Sequence, residues 1–174
     1  MAVDTIIEDD RWQALALEAL ADRVAGAALS HLGLDAGAAD VSLLACDDAR
    51  IAVLNAEFRG KPSPTNVLSW PAEDLSPDTP GGMPLAPEPD PTGELVLGDI
   101  AISWDTCARE AEAADKPMQD HVTHLVVHGL LHLLGYDHVE DADATVMEGL
   151  EAEILAGLGL ENPYIVADGA EGPV

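Results

Sequence analysis

Basic side chains are scarce in this chain. Two lysines and five arginines stand against 33 acidic residues, a formal net charge of −26 over 174 residues. That balance favours solubility and disfavours non-specific attraction to nucleic acid or to an anionic membrane surface. Aromatic residues are few as well: three Trp, two Tyr and one Phe. Ala, Leu and Val must therefore fill the core, and little stacking surface is on offer for bases. The two cysteines, Cys46 and Cys107, lie far apart with no C-x-x-C. Neither a disulfide framework nor a cysteine zinc site is signalled, and we expect two reduced, half-buried thiols. Long hydrophobic runs are missing too. The longest, around Leu125 to Leu134, is interrupted by histidines and is too short to span a bilayer. The first residues are acidic and lack a basic-then-apolar signal. We expect a soluble cytoplasmic protein with no membrane partner, folded as one domain over 1–164. A flexible tail is expected over 165–174.

Against this background one stretch stands out, His128-Gly-Leu-Leu-His-Leu-Leu-Gly-Tyr-Asp-His138. His128 and His132 are four apart on an apolar run, so a helix puts them on one face, about 5–6 Å apart at Cβ. Gly135 supplies a left-handed C-cap that turns the chain sharply. His138 then returns to complete a three-nitrogen site with a fourth position open. Three neutral imidazoles and an open position form a catalytic rather than a structural zinc arrangement.

The rest of the chain supplies a scaffold. Residues 3–7 read as a short strand, and Glu8-Asp9-Asp10 opens a helix from Arg11 to Leu32 that ends at Gly33, with Trp12 as a packing residue. Val41–Cys46 reads as a strand. Asp47-Asp48 then caps a helix whose apolar positions are Ile51, Leu54 and Phe58 and which ends at Arg59-Gly60. Val67–Trp70 is a strand, as is Leu95–Ser103, bent at Gly98. Between them, 71–94 holds seven prolines, three glycines and six acidic residues, the composition of a mobile surface loop with little to pack. A helix covers Trp104 to Ala114. Asp115-Lys-Pro117 starts the metal helix, and Glu140–Asp143 opens a last helix with Met147, Leu150, Ile154 and Leu158 on its apolar face. From Glu161 onward the chain is expected to fray, and His31 is assigned no function.

Four histidines, at 121, 124, 128 and 132, share the metal helix. At 1.5 Å per residue, His124 is about 12 Å along the axis from His132. His138 returns beyond the helix end and meets His132 and His128 most easily. His124, on the same face, is left either to touch substrate or a group behind the ligands, or simply to be a hydrogen-bonded, half-buried histidine. Asp137 reads as a turn residue, or as a group that supports a ligand from behind, rather than a fourth ligand.

The spacing also matches the metzincin signature H-E-x-x-H-x-x-G-x-x-H. The glutamate that serves a peptidase as general base is replaced here by Gly129, a choice that implies close approach by another element or a ligand. A peptidase is disfavoured on that ground. A metal so held lowers the pKa of bound water to about 7 and polarises a carbonyl or phosphoryl oxygen. For a phosphodiester, a cation is also needed on the phosphate. Arg59, at a helix end before an irregular Pro-rich turn, is the candidate, although an arginine there also complements the helix dipole.

The metal stretch resembles the H-G-x-L-H-L-x-G-Y-D-H motif of the YbeY family of bacterial single-strand endoribonucleases. Asn55-Ala-Glu-Phe-Arg59, Pro64–Trp70, Leu97–Ile100 and Met147–Glu151 look like family positions in the right order, so the resemblance covers about 41–164 apart from the Pro-rich insert. It implies an α+β fold: a small mixed β-sheet packed with helices, and a zincin-like metal helix in a cleft. It further implies one zinc ion on His128, His132 and His138, with Arg59 and His128 as catalytic residues. The implied task is maturation of small-subunit ribosomal RNA near its 3′ end, and ribosome quality control. Asn66 stands where the family more often has aspartate. The acidic charge leads us to expect weak binding to free RNA with a shallow salt dependence, and delivery by a ribosomal protein or an assembly GTPase. Two other functions are compatible with the same residues, a zinc hydrolase of a peptide or amide bond and a non-catalytic ribosome-assembly factor with a structural zinc.

Overall fold

The computed structural model describes residues 2–164. The expected tail over 165–174 lies outside them. Four strands, β1 (Val3–Ile7), β2 (Ala39–Cys46), β3 (Val67–Pro71) and β4 (Leu95–Ser103), form a sheet in the order β1-β2-β4-β3. β1 pairs with β2 and β2 with β4 in parallel, whereas β3 runs antiparallel to β4. The sheet is therefore mixed and the class α+β. Five α-helices surround it: α1 (Leu17–His31), α2 (Asp48–Arg59), α3 (Trp104–Ala113), α4 (Met118–Leu133) and α5 (Asp141–Gly157).

Alternation along the strands sets the layers. Val41, Leu43 and Ala45 of β2 and Ile100 and Ile102 of β4 point into one core shared with α1, α4 and α5. Cys46, Leu68 and Ala101 point to the opposite face, where Ile51 of α2 covers them. Both thiols are fully buried, deeper than expected, and burial pushes Cys46 up to about 12 and Cys107 higher still. Phe58 departs from its expected place. It is 61 % exposed and meets Trp70 edge-on instead of joining the core.

The register shifts between Asp40 and Val41, where Leu97 bulges out of the β2–β4 ladder. Gly98 follows it with φ +136°, and a Cβ there would lie 2.2 Å from Trp70 O. The bend expected at Gly98 is thus a β-bulge that only glycine permits.

Two expected elements are corrected. The single helix from Arg11 is two: a 3₁₀ segment, Asp10–Leu15, and α1, separated by Ala16 at φ 48°. Such a residue costs roughly 1–2 kcal/mol. The break lets Trp12 turn inward, fully buried, with its indole N–H donating to Cys46 O at 3.0 Å. The insert at 71–94 also packs more than its composition implied. Leu75 is buried and its carbonyl accepts from Leu85 N, while Gly81 N donates to Asp143 of α5 at 2.7 Å. Among the described residues no helix is long and apolar enough to cross a membrane.

Candidate metal centre

α4 ends as its sequence dictates. Gly135 N donates to His132 O and Tyr136 N to Leu131 O, the paired bonds of a Schellman cap. Gly135 has φ +100°, and a Cβ there would lie 2.5 Å from Leu75 O, so glycine is required both by conformation and by the insert packed against it. The turn carries His138 back. Asp137 Oδ1 accepts from His138 N at 2.7 Å, as a turn residue does, and lies 3.8 Å from His138 Nδ1.

His128, His132 and His138 converge, with one nitrogen from each lying within 4.8 Å of the others. His128 Nε2 and His132 Nε2 are 3.1 Å apart. Two nitrogens each about 2.0–2.1 Å from a tetrahedral ion stand about 3.3 Å apart, so this pair is already near the spacing that zinc requires. Burial, followed by the neighbouring imidazoles, pushes His132 down to about 4, which keeps it in the neutral form that ligates. The donor set fits a metal.

Gly129 faces away from this chemistry. An added Cβ would stand 3.1 Å from Ile100 Cδ1 of β4, so the sheet crowds this position. That is the close approach which the glycine implied.

A cleft of about 640 Å³ opens over the histidines, walled by Arg59, Lys61, Asn66, Ser69 and Leu75. Arg59 Nη2 reaches Ser69 O of β3 at 3.4 Å. Three of the other arginines are held by carboxylates: Arg11 by Asp9 and Asp105, Arg50 by Glu8, and Arg109 by Asp48. Arg59 and Lys61 have no ion pair among the described residues and line the same cleft as His128, His132 and His138. Asn66, half-buried on the same wall, donates to Glu110 at 3.0 Å.

The two remaining histidines of α4 are committed elsewhere. His121 pairs with Glu110 of α3 at 2.9 Å. His124 meets Glu151 of α5 at 2.6 Å, which takes up the hydrogen-bonded alternative for that residue. Glu151 also faces His128 Nδ1 at 3.3 Å and accepts from Tyr164 Oη at 2.7 Å. Tyr164 therefore docks where fraying was expected. Burial pushes Glu151 up, but the bonds from His124, His128 and Tyr164 outweigh it and hold the carboxyl at about 2. In the sequence Glu151 stands only at the end of the Met147–Glu151 motif. Its signal was a carboxylate on the buried stripe of α5 with Met147, Ile154 and Leu155.

Three imidazoles beside two unpaired cations, on a helix packed against a mixed sheet, make this a metallohydrolase type of site suited to an anionic substrate. The family model for Endoribonuclease YbeY matches residues 4–159, and this chain belongs to that family, whose members are hydrolases of RNA phosphodiester bonds. Endoribonuclease YbeY of Ruegeria pomeroyi is 66 % identical over 164 residues, covering 94 % of this chain and 98 % of its own. That of Dinoroseobacter shibae is 62 % identical, covering 93 % and 90 %. The solution structure of TM1509 from Thermotoga maritima shares the fold, with TM-score 0.53 at 19 % identity over 90 % of this chain and 91 % of its own.

Proposed function

We propose that this chain is a zinc-dependent, single-strand-specific endoribonuclease acting at the 3′ end of 16S ribosomal RNA, in small-subunit maturation and ribosome quality control. The observation that carries the reading is the convergence of His128, His132 and His138 on one cleft with Arg59 and Lys61. His128, His132 and His138 hold the ion. Bound zinc supplies Lewis acidity toward a phosphoryl oxygen or water. Arg59, hinged at the end of α2, places its guanidinium on the phosphate, where a planar fork of donors grips two oxygens. Lys61 adds a second positive charge along the strand. Ser69 O steadies Arg59 before substrate arrives.

The peptidase alternative is left without a base at Gly129. Because acidic charge surrounds two cleft cations, RNA reaches the site with help: a ribosomal protein or an assembly GTPase delivers the substrate on the small subunit. The chain works as a soluble cytoplasmic protein.

The test is cleavage of end-labelled single-stranded RNA by the wild type and Arg59→Ala, both folded and carrying equal zinc. Cleavage that falls at least 100-fold in the variant supports the reading. Equal cleavage in both removes Arg59 from its role. No cleavage by either, on RNA or on small subunits, favours a structural zinc in an assembly factor.

A further inference from the structure

We propose that Glu151 is a positioning residue that fixes the proton of His128 on Nδ1 and so leaves Nε2 bare toward the cleft. The inference deepens the three-histidine metal reading and rests on it.

The Glu151 side chain is 1 % exposed, so protein donors must replace its water. Oε1 receives Tyr164 Oη at 2.7 Å and faces His124 Nε2 at 2.6 Å; Oε2 faces His128 Nδ1 at 3.3 Å. An ionised carboxylate only accepts. Each imidazole nitrogen turned toward it therefore carries a hydrogen. A neutral imidazole has one, so His128 has none left for Nε2, the nitrogen 3.1 Å from His132 Nε2. The lone pair that a metal needs is then in place before the metal arrives. Carboxylates that accept from the far nitrogen of a ligating histidine work this way in metal sites generally.

Tyr164 and His124 make the arrangement directional. Both crowd Oε1, so in Glu151→Gln the amide oxygen stays with them and the NH₂ turns to His128. His128 Nδ1 must then accept, and its hydrogen moves to Nε2, where it blocks the ligating lone pair. A shape-conserving substitution thus inverts the tautomer. Were Glu151 merely a tie between α4 and α5, its loss would lower stability and leave the metal affinity of the folded protein unchanged.

The experiment uses full-length wild type, Glu151→Gln and His132→Ala. Zinc affinity is read by chelator competition, the His128 tautomer by imidazole ¹⁵N shifts in metal-free protein, and folding by thermal melting. Wild type is expected to bind one zinc per chain and His132→Ala none. For Glu151→Gln the affinity falls about 10–100-fold, with the His128 hydrogen on Nε2 and metal-free protein still folded. Affinity within about two-fold of wild type together with an unchanged tautomer would overturn the proposal. Failure of wild type to bind zinc would sink the underlying metal reading instead, and the tautomer in metal-free protein would still decide the part played by Glu151. Should Glu151→Gln not fold, Tyr164→Phe removes one donor from Oε1 at a distance from His128. It is expected to weaken zinc binding a few-fold, and unchanged affinity there would assign Glu151 to structure alone.

Discussion

The two ends of α4 carry the same residue type to opposite purposes. At the N-terminal end His121 and His124 each face a carboxylate, Glu110 from α3 and Glu151 from α5. At the C-terminal end His132 faces His128 and His138, Asp137 Oδ1 accepts from His138 N and lies 3.8 Å from His138 Nδ1, and Arg59 and Lys61 line the same cleft. An imidazole whose ring nitrogen meets a carboxylate donates to it; imidazoles that turn nitrogens toward one another can offer those lone pairs to a cation. What a histidine does here is decided by the element packed against it. His128 stands between the two ends, with one nitrogen for each.

The largest test of that contrast replaces one histidine from each end. His132→Ala is expected to lose bound zinc, by elemental analysis, and to cut RNA cleavage at least 100-fold. His121→Ala is expected to keep zinc at one per chain and activity within about two-fold. Loss of zinc in both would break the comparison.

A second pair uses glycines. Gly135→Ala adds a Cβ 2.5 Å from Leu75 O at φ +100°, which costs about 3 kcal/mol and displaces His138. Melting temperature and zinc affinity should fall together. Gly129→Ala, in the buried middle of α4, meets only the Ile100 side chain, Cδ1 at 3.1 Å and Cγ2 at 3.3 Å. The helix gains about 0.8–1 kcal/mol from alanine, which offsets the crowding, so stability should stay within about 1 kcal/mol and zinc affinity should not move.

The smallest effect is expected far from α4, at a carboxylate in partial contact with water. Burial pushes Asp48 up, but Ser103, Thr106 and Arg109 together hold it below its usual 3.8. A depressed folded value adds stability above the unfolded pKa, lost as pH falls through the folded one. Asp48→Asn should therefore melt below wild type at pH 6, by about 1 kcal/mol. The gap should narrow below pH 3.8. A gap that widens in acid would show that Asp48 is not the anchoring carboxylate.

Much of this was legible along the chain. The strands at 3–7 and 95–103, the caps at Asp47 and Gly135 and the bend at Gly98 follow from local patterns that hold whatever surrounds them. The helix break at Ala16 was not legible, because nothing local asks alanine for a positive φ; the distant carbonyl of Cys46 does, by drawing in Trp12. Leu75 was hidden in the same way inside a proline-rich stretch, and its burial depends on the α4 turn 60 residues on.

The sequence by itself determined that three histidines would meet, since helical periodicity and a glycine turn place 128, 132 and 138 together by short-range geometry. It also determined that no peptidase glutamate follows the first of them. Only the tertiary structure decided which nitrogen of His128 faces the cleft, that Arg59 and Lys61 line the same cleft, and that Glu151 and Tyr164 seal its far side. Those pairings join residues from α2, α4, α5 and the chain beyond it. Contacts between elements are set by how helices pack on a sheet, which no local pattern encodes.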